Sequence, residues 1–208
     1  MATTQATLRW LKSNMSWARV VSNLFSPPMV WAALAFPIAF RDAKTQGQAL
    51  EWAFVYILLV CLLPAGFVGF LVWRGNITDL HMEKREQRFR PFLVSIICTT
   101  IAWWTLRLMG APPVVPIFAL FALIQISVMA LITLVWQISM HTMSIAGAAI
   151  ATGVLFGIVP ALLTVPLVVL VSAARLKLQR HTPAQIVGGT MVGALVPMII
   201  FLLFHNVG

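Results

Sequence analysis

Three short segments hold nearly all the polar side chains that helix packing does not explain. The first, RGNITDLHMEKREQRFRP over residues 74–91, carries five basic and three acidic residues in 18 positions and ends at Pro91, where an apolar stretch begins. Arg90 directly precedes that proline. A guanidinium there can turn inward and grip a phosphate through two parallel N–H groups, which a lysine cannot do. The second, WQISMHTMSIAG over residues 136–147, sets His141 between two apolar runs. Ser139 stands two residues earlier, and Thr142 is positioned to cap the helix that follows. A helix N-terminus offers backbone N–H groups and a positive dipole end to an anion. The third, AARLKLQRHTPAQIVGG over residues 173–189, has five residues between Arg175 and His181. Thr182 and Pro183 follow the histidine and make a good helix start. Gln185, four residues after His181, then lies beside the imidazole. An acceptor that keeps one ring nitrogen protonated leaves the other free to attack.

Two histidines and several cations on one face are the minimum set for phosphoryl transfer through a phosphohistidine. One imidazole attacks, the other protonates the leaving oxygen, and the cations neutralise the equatorial oxygens. No metal or other cofactor is expected. Mg²⁺ sites rely on Asp and Glu, and the chain has five acids in all. Cys61 and Cys98 both lie in apolar runs, so neither a disulfide framework nor a metal set is visible.

The elements that must position these residues are membrane helices. Of 208 residues, 61% are hydrophobic and 9% charged, and the mean hydropathy is +0.95. A soluble domain carries about 25% charged residues, so an ordinary soluble enzyme is excluded. The net charge is +9. Aromatic and aliphatic runs separate the basic clusters, so a phosphate or anionic headgroup suits that charge, and a nucleic acid does not. With about 20 apolar residues needed per crossing, the expected spans are 24–40, 52–73, 92–109, 114–136, 143–158, 160–174 and 184–204. The fifth and sixth meet near Pro160 with almost no loop. The reading is an all-α integral membrane protein: a bundle of about six core transmembrane helices plus one extra span or an interfacial N-terminal helix. Residues 1–23, with Arg9, Trp10, Lys12, Trp17 and Arg19, read as an interfacial amphipathic segment and not as a cleavable signal peptide. Residues 24–208 form one polytopic domain.

Each of the three polar segments follows an even-numbered span, so all converge on one membrane face with the N-terminus. Of the 14 Lys and Arg, only Arg41, Lys44 and Arg107 fall on the other side. Eleven against three puts the polar face in the cytoplasm by the positive-inside rule. Small residues recur at helical spacing, Gly153 with Gly157 and Gly189 with Gly193, as close helix packing requires.

From about residue 52 to 205 this pattern resembles the type 2 phosphatidic acid phosphatase superfamily, the lipid phosphate phosphatases. That family carries Lys with Arg-Pro, then Ser-Gly-His, then Ser-Arg followed by His. The third segment, ARLKLQRHTPAQIVGG, is the most specific match. The resemblance implies His181 as nucleophile, His141 as general acid, and Gln185 as the group orienting the nucleophile. It implies Arg175, Arg90 and Lys84 as phosphate ligands, assisted by Ser139 and nearby backbone N–H groups. The chain departs from the pattern at several points. Lys84 and Arg90 stand one residue closer than usual, and Arg85 or Arg88 could replace Lys84. Met140 stands in place of Gly, Ile138 of Pro and Ala174 of Ser. Gln185 replaces Asp, as it does in the dolichyl diphosphatase and glucose-6-phosphatase branches.

The implied activity is a metal-independent phosphatase acting on a lipid phosphate or an isoprenoid (di)phosphate, with the hydrocarbon tail between helices. A UbiA-type prenyltransferase, suggested by Asn76, Asp79 and Glu83, needs two acidic clusters to hold Mg²⁺–diphosphate. The acids Asp42, Glu51, Asp79, Glu83 and Glu86 supply no second one. A different class of reading is a family member without catalysis that serves as a membrane subunit or lipid-binding scaffold. The substitutions at Met140, Ala174 and Gln185 motivate it.

Overall fold

A computed structural model describes residues 16–80, 82 and 84–204, so Arg9, Trp10, Lys12 and Glu83 lie outside the described residues. The described chain is all helical: α1 (Trp17–Leu24), α2 (Pro27–Arg41), α3 (Gln46–Trp73), α4 (Phe89–Leu108), α5 (Val114–Thr133), α6 (Met140–Phe156), α7 (Ile158–Lys177) and α8 (Pro183–Phe204). Five of these are long and apolar enough to cross a membrane, and six if α1 and α2, bent by 49°, count as one span. The expected span 24–40 therefore qualifies only together with α1. The expected 143–158 is α6, whose 17 residues rise only about 25 Å.

The breaks follow from backbone chemistry. Ser26 is extended, as a residue before proline tends to be, and Pro27 and Pro28 occupy the first turn of α2. Pro64 cannot donate to the carbonyl of Val60, and its ring crowds that carbonyl. The preceding turn, Ile57–Leu62, widens to a π-helix that relieves the clash. The expected joint at Pro160 lies instead at Gly157, whose φ of +95° only glycine adopts freely. Pro160 sits inside the first turn of α7.

Lipid supplies little hydrophobic drive between helices, so close backbone approach matters more. A Cβ on Gly189 would lie 2.5 Å from the Ser139 carbonyl oxygen and from Thr142 Oγ1, and one on Gly193 would strike the Met143 carbonyl. These two glycines let α8 press against the start of α6, as their spacing predicts. Gly153 packs likewise on Ala161, while Gly157 serves as the turn. The N-terminal helix is also part of the bundle: α1 packs on α7 and buries Ala18 and Ser22.

Gly193→Ala should lower stability in detergent by about 1–3 kcal/mol, the usual cost of overpacking. Gly66→Ala, where a Cβ meets nothing within 4 Å, should leave the melting temperature unchanged. Equal melting of the two variants would contradict this packing.

Candidate functional site

The loops after α3, α5 and α7 and the helix α1 meet at one end of the bundle. The α7 terminus is a reverse turn in which Arg180 N–H donates to the Arg175 carbonyl at 3.2 Å and Gln179 takes a φ of +53°. This Schellman-type closure explains the five-residue spacing, because it folds His181 back toward Arg175. Thr182 and Gln185 then form a capping box: Gln185 N–H donates to Thr182 Oγ1 at 3.3 Å, and Thr182 N–H donates to Gln185 Oε1 at 3.0 Å. The same Oε1 lies 3.3 Å from His181 Nδ1. An amide oxygen only accepts, so Nδ1 carries the proton and Nε2 keeps its lone pair. Gln185 thus stands where its spacing predicts.

His181 is buried, and its pKa falls from 6.5 to about 4. Burial is the largest cause, followed by the positive charges of Arg175 and Arg88, against a small opposing effect of the Gln185 hydrogen bond. The imidazole is therefore neutral at pH 7.

Arg175 is 3% exposed and donates from a terminal nitrogen to Ser22 Oγ at 2.7 Å. The Ser22 carbonyl lies 3.0 Å from His141 Nε2. A carbonyl only accepts, so that nitrogen carries the proton. Ser22 therefore joins Arg175 to His141. No motif marked it. The signal in the sequence is the pair of small residues Ala18 and Ser22, spaced to share one face of a helix whose other residues are all larger.

In the first segment the inward cation is Arg88, not Arg90. Arg88 is 1% exposed, whereas Lys84, Arg85 and Arg90 are exposed. Residues 85–88 form a 3-10 turn ahead of α4, which sets the phase of the helix so that Arg88 faces the bundle. Its guanidinium donates to the carbonyls of Met82 at 2.9 Å and Ile138 at 3.4 Å. Arg180 pairs with Asp79 at 2.7 Å and fastens this loop to the third segment.

In the second segment the capping roles exchange. Ser139 is the N-cap of α6 and accepts from Thr142 N–H at 3.4 Å, while its own N–H donates to the Gln185 carbonyl. Thr142 donates its hydroxyl to the carbonyls of Ser139 and Ile186. Ser139 is fully buried in this role, and α6 starts three residues earlier than expected.

Beside the cluster, His141 and Met140 line the end of a cavity of about 440 Å³ that runs among α2, α3, α4, α5 and α6. Its walls include Trp31, Val60, Pro64, Val68 and Phe92. The π-helical turn of α3 contributes Val60 and Cys61. The structure thus brings together His181, Gln185, Arg175, His141 and Ser139, adds Arg88 and Ser22, and leaves Lys84 and Arg90 outside. No family model, curated protein or solved structure matches this chain.

Histidine NMR in detergent should find His181 neutral at pH 6 and protonated only near pH 4. Arg175→Gln removes a neighbouring cation and should raise that pKa. Because the unfolded imidazole binds its proton near 6.5, His181 makes the fold less stable as pH falls through 6.5 toward 4. A pKa near 6.5 in the folded protein would contradict the described surroundings.

Proposed function

We propose that this chain is a membrane-embedded phosphatase that hydrolyses a lipid phosphate or isoprenoid (di)phosphate through a phosphohistidine. One observation carries the reading. A buried neutral imidazole, held at Nδ1 by Gln185, stands among cationic guanidinium groups, and His141, joined to Arg175 through Ser22, lines an apolar cavity beside them. The resemblance of the three polar segments to lipid phosphate phosphatases supports it. The positive-inside count supports a cytoplasmic active face.

The phosphate binds at Arg175 and Arg88, with the tail in the cavity. His181 Nε2 donates its lone pair to phosphorus as the bond from phosphorus to the lipid oxygen breaks. The electrons of that bond pass to the leaving oxygen, and His141, turning its Nε2–H away from the Ser22 carbonyl, protonates it. Water then attacks the phosphohistidine and gives its proton to His141, and inorganic phosphate leaves with His181 restored. The reaction needs no metal.

The second reading is a non-catalytic membrane subunit or lipid-binding scaffold. Met140 favours it, since this side chain lines the cavity beside His141 where the resembled motif has glycine.

Phosphate release by the purified protein, in EDTA and with lipid and isoprenoid phosphates, tests the proposal. His181→Ala should abolish release, and Arg88→Met should cut it about 100- to 1,000-fold, as loss of a transition-state donor does. Arg90→Met should cost little. No release from any substrate by folded protein would favour the scaffold, and release that survives His181→Ala would refute the nucleophile.

A further inference from the structure

The cavity contains two polar groups that the proposed chemistry does not use. Gln125 on α5 is 2% exposed and Ser144 on α6 is fully buried, and both line the cavity. Gln125 Nε2 and Ser144 Oγ have no hydrogen-bond partner. Buried donors are nearly always paired, because leaving one unpaired forfeits its hydration with nothing in return. Ser144 also breaks the habit of this bundle. Ser95, Ser127, Thr133, Thr152 and Ser172 each donate to the carbonyl four residues back. The helical backbone offers Ser144 the same escape, and its hydroxyl does not take it.

Their depth is set by α6. Ser144 stands three residues beyond His141, about 4.5 Å further along the helix axis. The Gln125 amide lies against Gly147, where a Cβ would come within 2.7 Å of Nε2. That is another turn deeper, about 9 Å below His141. Glycine at 147 makes the space that the amide nitrogen occupies, buried beside the cavity that Gln125 lines.

We propose that Gln125 and Ser144 form a hydrogen-bonding subsite that reads acyl ester carbonyls in the tail of the bound lipid. This rests on the phosphatase reading for where the phosphate sits. An amide N–H and a hydroxyl call for an acceptor. The ester carbonyls of a glycerolipid lie a few bonds below its phosphorus, which matches donors one and two turns below His141. An isoprenoid chain carries no acceptor at that depth and leaves both donors unpaired. The pair therefore selects ester-bearing lipid phosphates over isoprenoid ones.

The test compares dioleoyl phosphatidic acid with its diether analogue, which lacks only the two carbonyls. Retention of each by His181→Ala protein in detergent, read by native mass spectrometry, reports binding without turnover. Release of phosphate by the unmutated protein is measured in parallel. The ester lipid should bind about tenfold more tightly than the ether, the worth of one good hydrogen bond. Adding Gln125→Leu or Ser144→Ala should bring the ratio toward one while the ether lipid binds as before. Equal binding of ester and ether, a ratio that survives both substitutions, or no retention of either lipid would overturn the subsite. The ester–ether comparison needs no cavity variant, so a misfolded Gln125→Leu does not remove the test. Phosphate release without ester preference defeats the subsite and leaves the phosphatase reading standing. Ester preference without release does the reverse.

Discussion

Helix α8 meets the start of α6 at two positions where α8 can carry no side chain, and the geometry of the site follows from that contact. With no Cβ at Gly189 and Gly193, the α8 backbone lies against the Ser139 carbonyl, Thr142 and the Met143 carbonyl. The first turns of the two helices are then close enough to share hydrogen bonds. Ser139 N–H reaches the Gln185 carbonyl, and the Thr142 hydroxyl reaches that of Ile186. His141 and His181 each sit at the start of one of these helices, so a contact made by backbone holds both imidazoles on one face. Such precision suits chemistry, where small displacements of a reacting group are costly.

Charge sets the second constraint. Arg88 and Arg175 are both buried close enough to His181 to lower its affinity for a proton. Arg88 is held by two uncharged carbonyls, which take only two of its N–H donors and leave its charge in place. A buried guanidinium is expensive unless something negative compensates it. In the proposed reading a bound phosphate supplies that charge, while burial and the two arginines keep His181 unprotonated. The capping box of α8 supports this economically, since one Gln185 oxygen both caps the helix and fixes the imidazole tautomer.

Hydropathy alone made the helical membrane bundle legible, and the Thr-Pro-x-Gln run after His181 correctly announced the start of α8 and the place of Gln185. The phase of the first segment was not legible. Arg88 and Arg90 differ in direction because of one 3-10 turn, and nothing in the residues of that turn announces it over a continuous helix. The start of α6 was hidden because its first turn is polar, so an apolar count begins too late. Spacing marks Ser22 as facing a packed helix but could not name its partners, since it meets His141 across 119 positions and Arg175 across 153. Gln125 and Ser144 read as isolated polar residues in apolar runs. Only the packing shows that they share a cavity and that neither has a partner there.

Trapping the phosphoryl group on the protein is the most direct test of the phosphohistidine. Protein mixed with a lipid phosphate radiolabelled at phosphorus is quenched in alkali, where phosphoramidates survive, and digested for peptide mapping. The label should reside on His181, disappear on acid treatment and be absent from His181→Ala. It should accumulate in His141→Ala if loss of the general acid and base slows the attack of water more than the first step. A stable ester on another residue, or turnover with no label on His181 at any time, would contradict it.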